Sequence, residues 1–200
     1  MPRVVVLLVV LLSIACGGEA LPQRAPSPSA APAGTPGMTQ VTGSAPAGAL
    51  VMLEPASGPA PMPEGGALLD QYGKQFVPTL LFVRVGQPVT FRNSEDQQHD
   101  VTIVRSRTGT AVFNVSQDPF DVNHFTFDRP GEFDVNCDVH PGMRATIVAT
   151  LTPYAAYADG SGRYALPDVT PGAYTLKISS GGRVRDRAVD VSGATVDFAP

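Results

Sequence analysis

Apolar and polar residues alternate with a period of two along much of the chain beyond residue 66. The alternation is clear in "QPVTFRN", where Val89 and Phe91 are the apolar members, and again in "MRATIVATL". This pattern is typical of β-strands that turn one face to a core and the other to solvent. No window of eleven or more residues sustains a helical repeat. The pattern therefore predicts an all-β chain, and β-sandwiches are the architecture that many short strands favour.

Pairs of turn-forming residues separate the predicted strands. Pro130-Gly131 divides "NHFTFDRPGEFDVNC" into two strands, and Asp-Gly, Pro-Gly, Gly-Gly and Ser-Gly pairs punctuate the tail of the chain. Such pairs mark turns because Gly and Pro supply the special backbone angles that turns need. We expect the strands of residues 67–150 to form one domain and those of residues 151–200 to belong to another.

The N-terminus has the pattern of an export signal. Arg3 is followed by the twelve-residue run "VVVLLVVLLSIA" and then by "CGGE". This run is shorter than the about 20 residues that a membrane-spanning helix needs, and it matches the apolar core of a secretory signal peptide. "LSIAC" resembles a bacterial lipobox, although Ser13 stands where Leu is usual, and cleavage by an ordinary signal peptidase is the alternative. We predict a signal peptide over residues 1–16 with lipidation of Cys16.

Composition separates a tether from the folded part of the chain. Residues 17–37 are mostly Pro, Ala, Ser and Gly, without apolar periodicity, which predicts a Pro/Ala/Gly-rich tether. With the lipid, this tether would make the chain a membrane-anchored lipoprotein, periplasmic or on the cell surface. The 43% of hydrophobic residues in the whole chain is enough for a folded core.

The charge of the chain gives no support to a nucleic-acid partner. The net charge is -4 at pH 7, and no long run of Lys and Arg occurs. The densest basic stretch, "GGRVRDR" at residues 181–187, is interrupted by Asp186. We expect it to be a solvated face of a strand.

The stretch "NCDVHPGMRA" places Cys137, His140 and Met143 three residues apart. If Cys16 carries lipid, Cys137 has no cysteine to pair with, and an exported thiol is then protected only by burial or by a ligand. Two His, one Cys and a weak axial Met are the ligand set of a mononuclear blue-copper site. Taken singly, each residue has an ordinary explanation as core or surface turn. Zinc is the competing metal, but its sites rarely use Met and its paired Cys motifs are missing.

A second histidine must come from elsewhere in the chain, and spacing leaves two possibilities open. His99 begins a predicted strand after the polar loop in "FRNSEDQQHDVTIV". His124 opens the strand before the cysteine strand, in "DVNHFTFDRPGEF".

Residues 71–149 resemble the cupredoxins, the blue-copper family of the amicyanin and plastocyanin type. The resemblance is carried by the Phe-Arg-Asn strand, "QHDV", "PGEFDVNC" and "HPGM". It implies a Greek-key β-sandwich that holds one type 1 copper ion through His99, Cys137, His140 and Met143, with His124 in a structural position.

The resemblance also points to two residues near the ligands. Asp100 stands where the family usually has Asn, whose side chain bonds across to the ligand loop. Asn93 could brace the site instead.

The tail resembles a carboxypeptidase regulatory-like β-sandwich. Asp159, Gly162, Tyr164 and Leu166 carry the first half of its signature, and "PGAYTL" carries the second. That family opens with a pattern that "VTGSAPAGALVMLEP" matches near the N-terminus. We therefore expect residues 38–56 and 151–200 to form a small second β-sandwich, interrupted by the cupredoxin domain.

These features indicate an exported copper protein that carries single electrons between redox protein partners at the cell envelope. The sequence shows neither a substrate pocket nor a catalytic triad, so we expect no enzyme activity. One alternative is a copper-binding or copper-delivery protein without electron turnover. The other is an adhesion or scaffold protein whose copper site is vestigial.

Overall fold

A computed structural model describes residues 37–192 and 195–198. The predicted signal peptide, Cys16 and nearly all of the predicted tether lie outside these residues. Among the described residues, no helix has the length and apolar character needed to cross a membrane. The described chain is built of strands, which confirms the prediction of an all-β fold. In chain order they are β1 Thr39–Ser44, β2 Leu50–Pro55, β3 Ala67–Tyr72, β4 Gln75–Val77, β5 Leu80–Arg84, β6 Pro88–Asn93, β7 His99–Arg105, β8 Ala111–Gln117, β9 Val122–Thr126, β10 Gly131–Asn136, β11 Arg144–Thr150, β12 Ala155–Tyr157, β13 Arg163–Val169, β14 Gly172–Ser180, β15 Arg183–Val191 and β16 Thr195–Phe198.

Strands β3 to β11 form the first sandwich. One sheet has the order β5-β11-β10-β7-β8 and the other the order β4-β3-β6-β9. Strands that are distant in the chain lie side by side, as Greek-key connections require. Most pairs are antiparallel, but β5 runs parallel to β11 and β3 runs parallel to β6.

The core of the first sandwich follows the alternation seen in the sequence. Val89 and Phe91 of β6 are fully buried, whereas Arg92 between Phe91 and the strand end is exposed. Aromatic rings fill the space between the sheets, with centroids 5.0 Å apart for Phe125 and Phe127 and 4.5 Å apart for Phe127 and Phe133. Tilted and edge-on contacts of this kind are the favoured packing of aromatic pairs.

The second sandwich is built from both ends of the described chain. Its sheets have the orders β12-β2-β14-β15 and β13-β1-β16. Strand β2 lies between β12 and β14, and Leu53 is the partner of Leu176 across the β2–β14 pair. The buried residues of its core are Val41, Val51, Leu53, Tyr154, Ala158, Tyr164, Leu166, Val169, Tyr174, Leu176 and Val191. Residues 39–55 therefore share one core with residues that follow the first sandwich.

Buried threonines join the two sandwiches where β11 ends. The Thr150 hydroxyl donates to the carbonyl of Thr152 at 2.6 Å, and the Thr152 hydroxyl donates to the carbonyl of Leu53 at 2.7 Å. Nearby, the Tyr157 hydroxyl donates to Glu132 of the first sandwich at 3.2 Å. The two threonine bonds satisfy polar groups that would otherwise be costly to bury.

This pairing predicts that residues 151–200 cannot fold when produced without residues 38–56. Without β1 and β2, the neighbouring strands β12, β13, β14 and β16 each lose a strand to which they are hydrogen-bonded. The apolar side chains that β1 and β2 contribute to the shared core are lost as well. Far-UV circular dichroism and urea titration should show no cooperative transition for this fragment, whereas residues 38–200 should unfold cooperatively. A cooperative transition of the tail alone would contradict the shared core.

Candidate metal centre

The candidate ligands lie at one end of the first sandwich. His99 begins β7, Cys137 directly follows β10, and Met143 directly precedes β11. The loop between β10 and β11 is closed on itself, because the amide of Cys137 donates to the carbonyl of Met143 and the amide of Met143 donates to that of His140, each at 3.2 Å. Gly142 has a φ of 90°, a backbone conformation that residues with a Cβ rarely adopt. The loop is therefore short and strongly constrained.

Three ligand atoms converge. The Nδ1 atoms of His99 and His140 are 3.0 Å apart, and the sulfur of Cys137 is 3.8 Å from the first and 3.7 Å from the second. Metal–nitrogen bonds of about 2.0–2.1 Å and metal–sulfur bonds of about 2.3 Å put two ligands of one ion roughly 3–4 Å apart. The observed separations match this, so the three residues fit a single metal ion.

The cluster is buried on all but one side. His99 is 0% exposed, Cys137 6% and Met143 2%, whereas His140 is only partly buried. Met143 belongs to the same hydrophobic cluster as Cys137, so a thioether lies among the apolar residues beside the thiol. Burial of this kind protects the thiol from oxidants and leaves His140 as the ligand nearest to solvent.

A carboxylate fixes the orientation of His99. Oε2 of Glu95 lies 2.7 Å from Nε2 of His99. Burial raises the pKa of Glu95, but hydrogen bonds from the Lys74 amide and from His99 outweigh it and leave that pKa below its usual value. Glu95 is thus a carboxylate that accepts a hydrogen bond from Nε2 of His99. The other ring nitrogen of His99, Nδ1, then carries the lone pair, which is directed at the thiol of Cys137.

The surroundings of the other two converging ligands, His140 and Cys137, also suit metal binding. Burial, followed by electrostatic interactions with His99 and Lys74, lowers the pKa of His140 below its usual value. A neutral His140 keeps a ring nitrogen free for a metal at neutral pH. The backbone amide of Asp100 donates to the sulfur of Cys137 at 3.4 Å, a contact that helps to fix the position of the sulfur beside the two histidines.

Asp100 and Asn93, the two residues that the sequence places near the ligands, make different contacts. Asp100 reaches the thiol through its backbone, and its carboxylate forms no hydrogen bond within residues 37–192. The Asn93 amide donates to the carbonyls of Gln97 at 2.8 Å and Asp118 at 3.0 Å, and accepts from the amide of Glu95 at 3.0 Å. Asn93 therefore holds the loop that carries Glu95.

Two buried glutamines behind His99 were not predicted from the sequence. Gln117 is the cross-strand partner of His99, and its side chain accepts a short hydrogen bond from Gln71. Its own amide donates to the carbonyls of Phe91 at 3.1 Å and Asp121 at 3.3 Å. Both glutamines are fully buried. Glu95 was not predicted either; an acid four residues before a candidate ligand histidine is the one signal that could have shown it.

His124 lies apart from the cluster of His99, Cys137 and His140. It is exposed on β9, and its Nδ1 lies 3.2 Å from the hydroxyl of Thr90. The prediction of Cys16 as a lipidated residue falls outside the described residues.

No model of a known protein family matches the chain, and no curated protein does. Solved structures of cupredoxins are similar to part of it. A purple cupredoxin from Nitrosopumilus maritimus is 20% identical, covering 42% of this chain and 99% of that one, with a TM-score of 0.39. One reduced amicyanin mutant is 26% identical, covering 50% of this chain and 99% of its own, with a TM-score of 0.39. A second is 25% identical, covering 50% and 98%, with a TM-score of 0.40.

The contact of Glu95 with His99 predicts that Glu95→Gln weakens binding of Cu(II) about 10- to 100-fold, the usual effect of removing such a partner. An amide in place of the carboxylate no longer fixes which ring nitrogen carries the proton. Isothermal titration with Cu(II) would measure the change. Asp96→Asn is the matched control, because it removes the same charge from the exposed neighbouring residue. Equal losses in both variants would contradict a specific role for Glu95.

The geometry also separates the two histidines that spacing left open. His99→Ala should abolish tight binding of Cu(II), because it removes one of the three converging ligand atoms, and His124→Ala should leave the affinity unchanged. Circular dichroism of each variant would establish that the fold is retained. Tight binding by a folded His99→Ala variant would contradict the assignment.

Proposed function

We propose that this chain is a copper protein that carries single electrons at the cell envelope. The observation that carries the proposal is the convergence of His99, Cys137 and His140, with Met143 buried in the same loop. Two imidazoles, one thiolate and a thioether form a donor set that suits copper better than zinc, which seldom uses methionine. Copper bound there would supply one-electron exchange between its two oxidation states.

The rigidity of the site supports electron transfer as the function. Cu(I) and Cu(II) prefer different ligand geometries, so ligands that cannot rearrange lower the cost of passing between them. Here the closed loop around Gly142 restricts three of the candidate ligands. His99 is fixed separately, by its place at the start of β7 and by Glu95.

The exposure of the ligands supports a route for the electron. His140 is the one partly exposed member of the cluster, and its neighbour Val139 is 46% exposed. An electron would therefore enter and leave through the edge of the His140 ring. Because His99, Cys137 and Met143 are buried, the site offers little room for a substrate at the metal, which favours a carrier over an enzyme.

We also propose where the carrier works. The sequence of residues 1–37 supports export, lipidation of Cys16 and a tether to the membrane, in the periplasm or on the cell surface. Its partners would be redox proteins at that membrane. A cysteine committed to lipid leaves the thiol of Cys137 free for the metal.

Titration of residues 38–200 with Cu(II), followed by visible absorption and electron paramagnetic resonance, tests the proposal. We expect an intense blue or green band from charge transfer between Cys137 and copper, and its loss in Cys137→Ser. Cyclic voltammetry should then show a reversible one-electron couple.

Other outcomes favour the alternatives. A tight, colourless complex that prefers Cu(I) would indicate copper handling without electron turnover. Absence of binding would leave a vestigial site and turn attention to the second sandwich as an adhesion or scaffold module.

A further inference from the structure

The two sheets of the first sandwich contribute different parts of the candidate metal centre. His99 begins β7 and Cys137 follows β10, and both strands belong to the sheet β5-β11-β10-β7-β8. Glu95, which bonds to the His99 ring, follows β6, and the Lys74 amide that donates to Glu95 at 3.1 Å lies in the turn between β3 and β4. Strands β3, β4 and β6 belong to the opposite sheet. The contact between Glu95 and His99 therefore depends on how the two sheets are placed against each other.

Two buried glutamines join the sheets at this end of the sandwich. Gln117 is the last residue of β8, in the sheet of His99, and Gln71 lies on β3 in the opposite sheet. The side-chain amide of Gln71 donates a short hydrogen bond to Oε1 of Gln117, and both residues are fully buried. Nε2 of Gln117 also donates across the interior, to the carbonyl of Phe91 on β6 at 3.1 Å. The two glutamines, here called the glutamine clamp, are therefore a direct polar connection between the sheets.

The glutamine clamp lies against the loop that carries Glu95. The backbone carbonyl of Gln71 accepts a hydrogen bond from the amide of Ser94, the first residue of that loop, at 3.1 Å. The carbonyl of Asp121 accepts from Nε2 of Gln117 at 3.3 Å. The same carbonyl accepts from the amide of the last residue of β6, directly before the loop, at 2.9 Å. A displacement of β3 or β8 at the clamp would therefore displace Glu95 as well.

Stability does not explain the glutamine clamp. Oε1 of Gln71 is buried and has no hydrogen-bond partner among the residues that the structure describes, and a buried polar atom in that state costs free energy. Replacement of two bonded polar side chains by apolar ones of the same shape is often nearly neutral or stabilising. Apolar contacts, however, have no preferred direction, whereas a buried hydrogen bond fixes its donor and acceptor in one relative position. The clamp therefore suits the placement of the sheets better than it suits their stability.

We propose that the glutamine clamp is a positioning element for the metal centre, because it sets the placement of the two sheets in which Glu95 bonds to Nε2 of His99. In this placement Nε2 keeps the proton, and Nδ1 keeps the lone pair that faces the sulfur of Cys137. Without the clamp, the His99 ring would carry its proton on either nitrogen. The proposal rests on the proposed role of His99 as a copper ligand, but the state of its ring can be measured without metal.

Nuclear magnetic resonance of metal-free residues 38–200 with isotopically labelled histidine tests the proposal, and these residues contain every described strand. The chain has three histidines, and His99→Ala identifies the signals of the His99 ring. We expect one tautomer, with the proton on Nε2 and in slow exchange with solvent. Gln71→Met with Gln117→Met should still unfold cooperatively in urea, but should mix the two tautomers and speed the exchange. Gln71→Met alone removes the same bond and gives the same test where the double variant does not fold.

Gln87→Met is the matched control. Gln87 is also a buried glutamine of the first sandwich, and its Oε1 accepts from the amide of Arg84 at 3.0 Å. It precedes β6, whereas the loop of Glu95 follows β6, so it lies at the other end of that strand. The control variant should keep the single tautomer of His99. An unchanged tautomer in a folded clamp variant, or the same mixing in the control, would overturn the proposal.

Titration with Cu(II) tests whether the clamp acts through Glu95. The clamp variant should bind Cu(II) about 10-fold more weakly than the unaltered chain. In a chain that already carries Glu95→Gln, the same substitutions should cause no further loss, because the contact that they position is already gone. Equal losses in both backgrounds would overturn the route through Glu95. Absence of Cu(II) binding by the unaltered chain would contradict the proposed electron transfer, whereas the tautomer of His99 would still decide whether the clamp positions that ring.

Discussion

The site depends on one constraint, which is the hydrogen-bonded pairing of β7 with β10. This pairing brings His99 beside Cys137, although the two residues are 38 positions apart in the chain. It also places the amide of Asp100 against the sulfur. The closed loop from Cys137 to Met143 then needs only its own short-range bonds to complete the cluster. A slip of the strand pair by one residue would turn the imidazole to the opposite face of the sheet.

Most of the fold was predictable because alternation is a local property of the sequence. The strands, the all-β class and the ligand loop can each be predicted from residues that are close to one another in the sequence. The choice of His99 over His124 could not be made from spacing. It came from a family resemblance, and the structure now places the His99 ring in the cluster. The neighbours of His99 were missed because they come from separate segments: Glu95, which bonds to its ring, lies in the preceding loop, and Gln117, its cross-strand partner, lies on β8.

The charges of β15 show a different limit of the linear sequence. In the linear sequence Asp186 lies among Arg183, Arg185 and Arg187, and the expectation that this stretch is a solvated face of a strand is confirmed by the exposure of these residues on β15. Strand geometry separates neighbours in the sequence and joins every second residue, so the acid and the arginines lie on opposite faces. Charge patterns have to be interpreted after the secondary structure is assigned.

The shared core of the second sandwich has a consequence for the first. Because β1 and β2 must pair with strands that follow β11, the second sandwich can form only when both ends of residues 67–150 are held close together. The buried bond from Thr152 to Leu53 lies at that junction. The candidate ligand cluster is at the opposite end of β11, beyond Met143, so the junction can be fixed without restricting access to His140. One end of the first sandwich thus serves attachment, and the other end carries the candidate ligands, with His140 the most exposed of the three that converge.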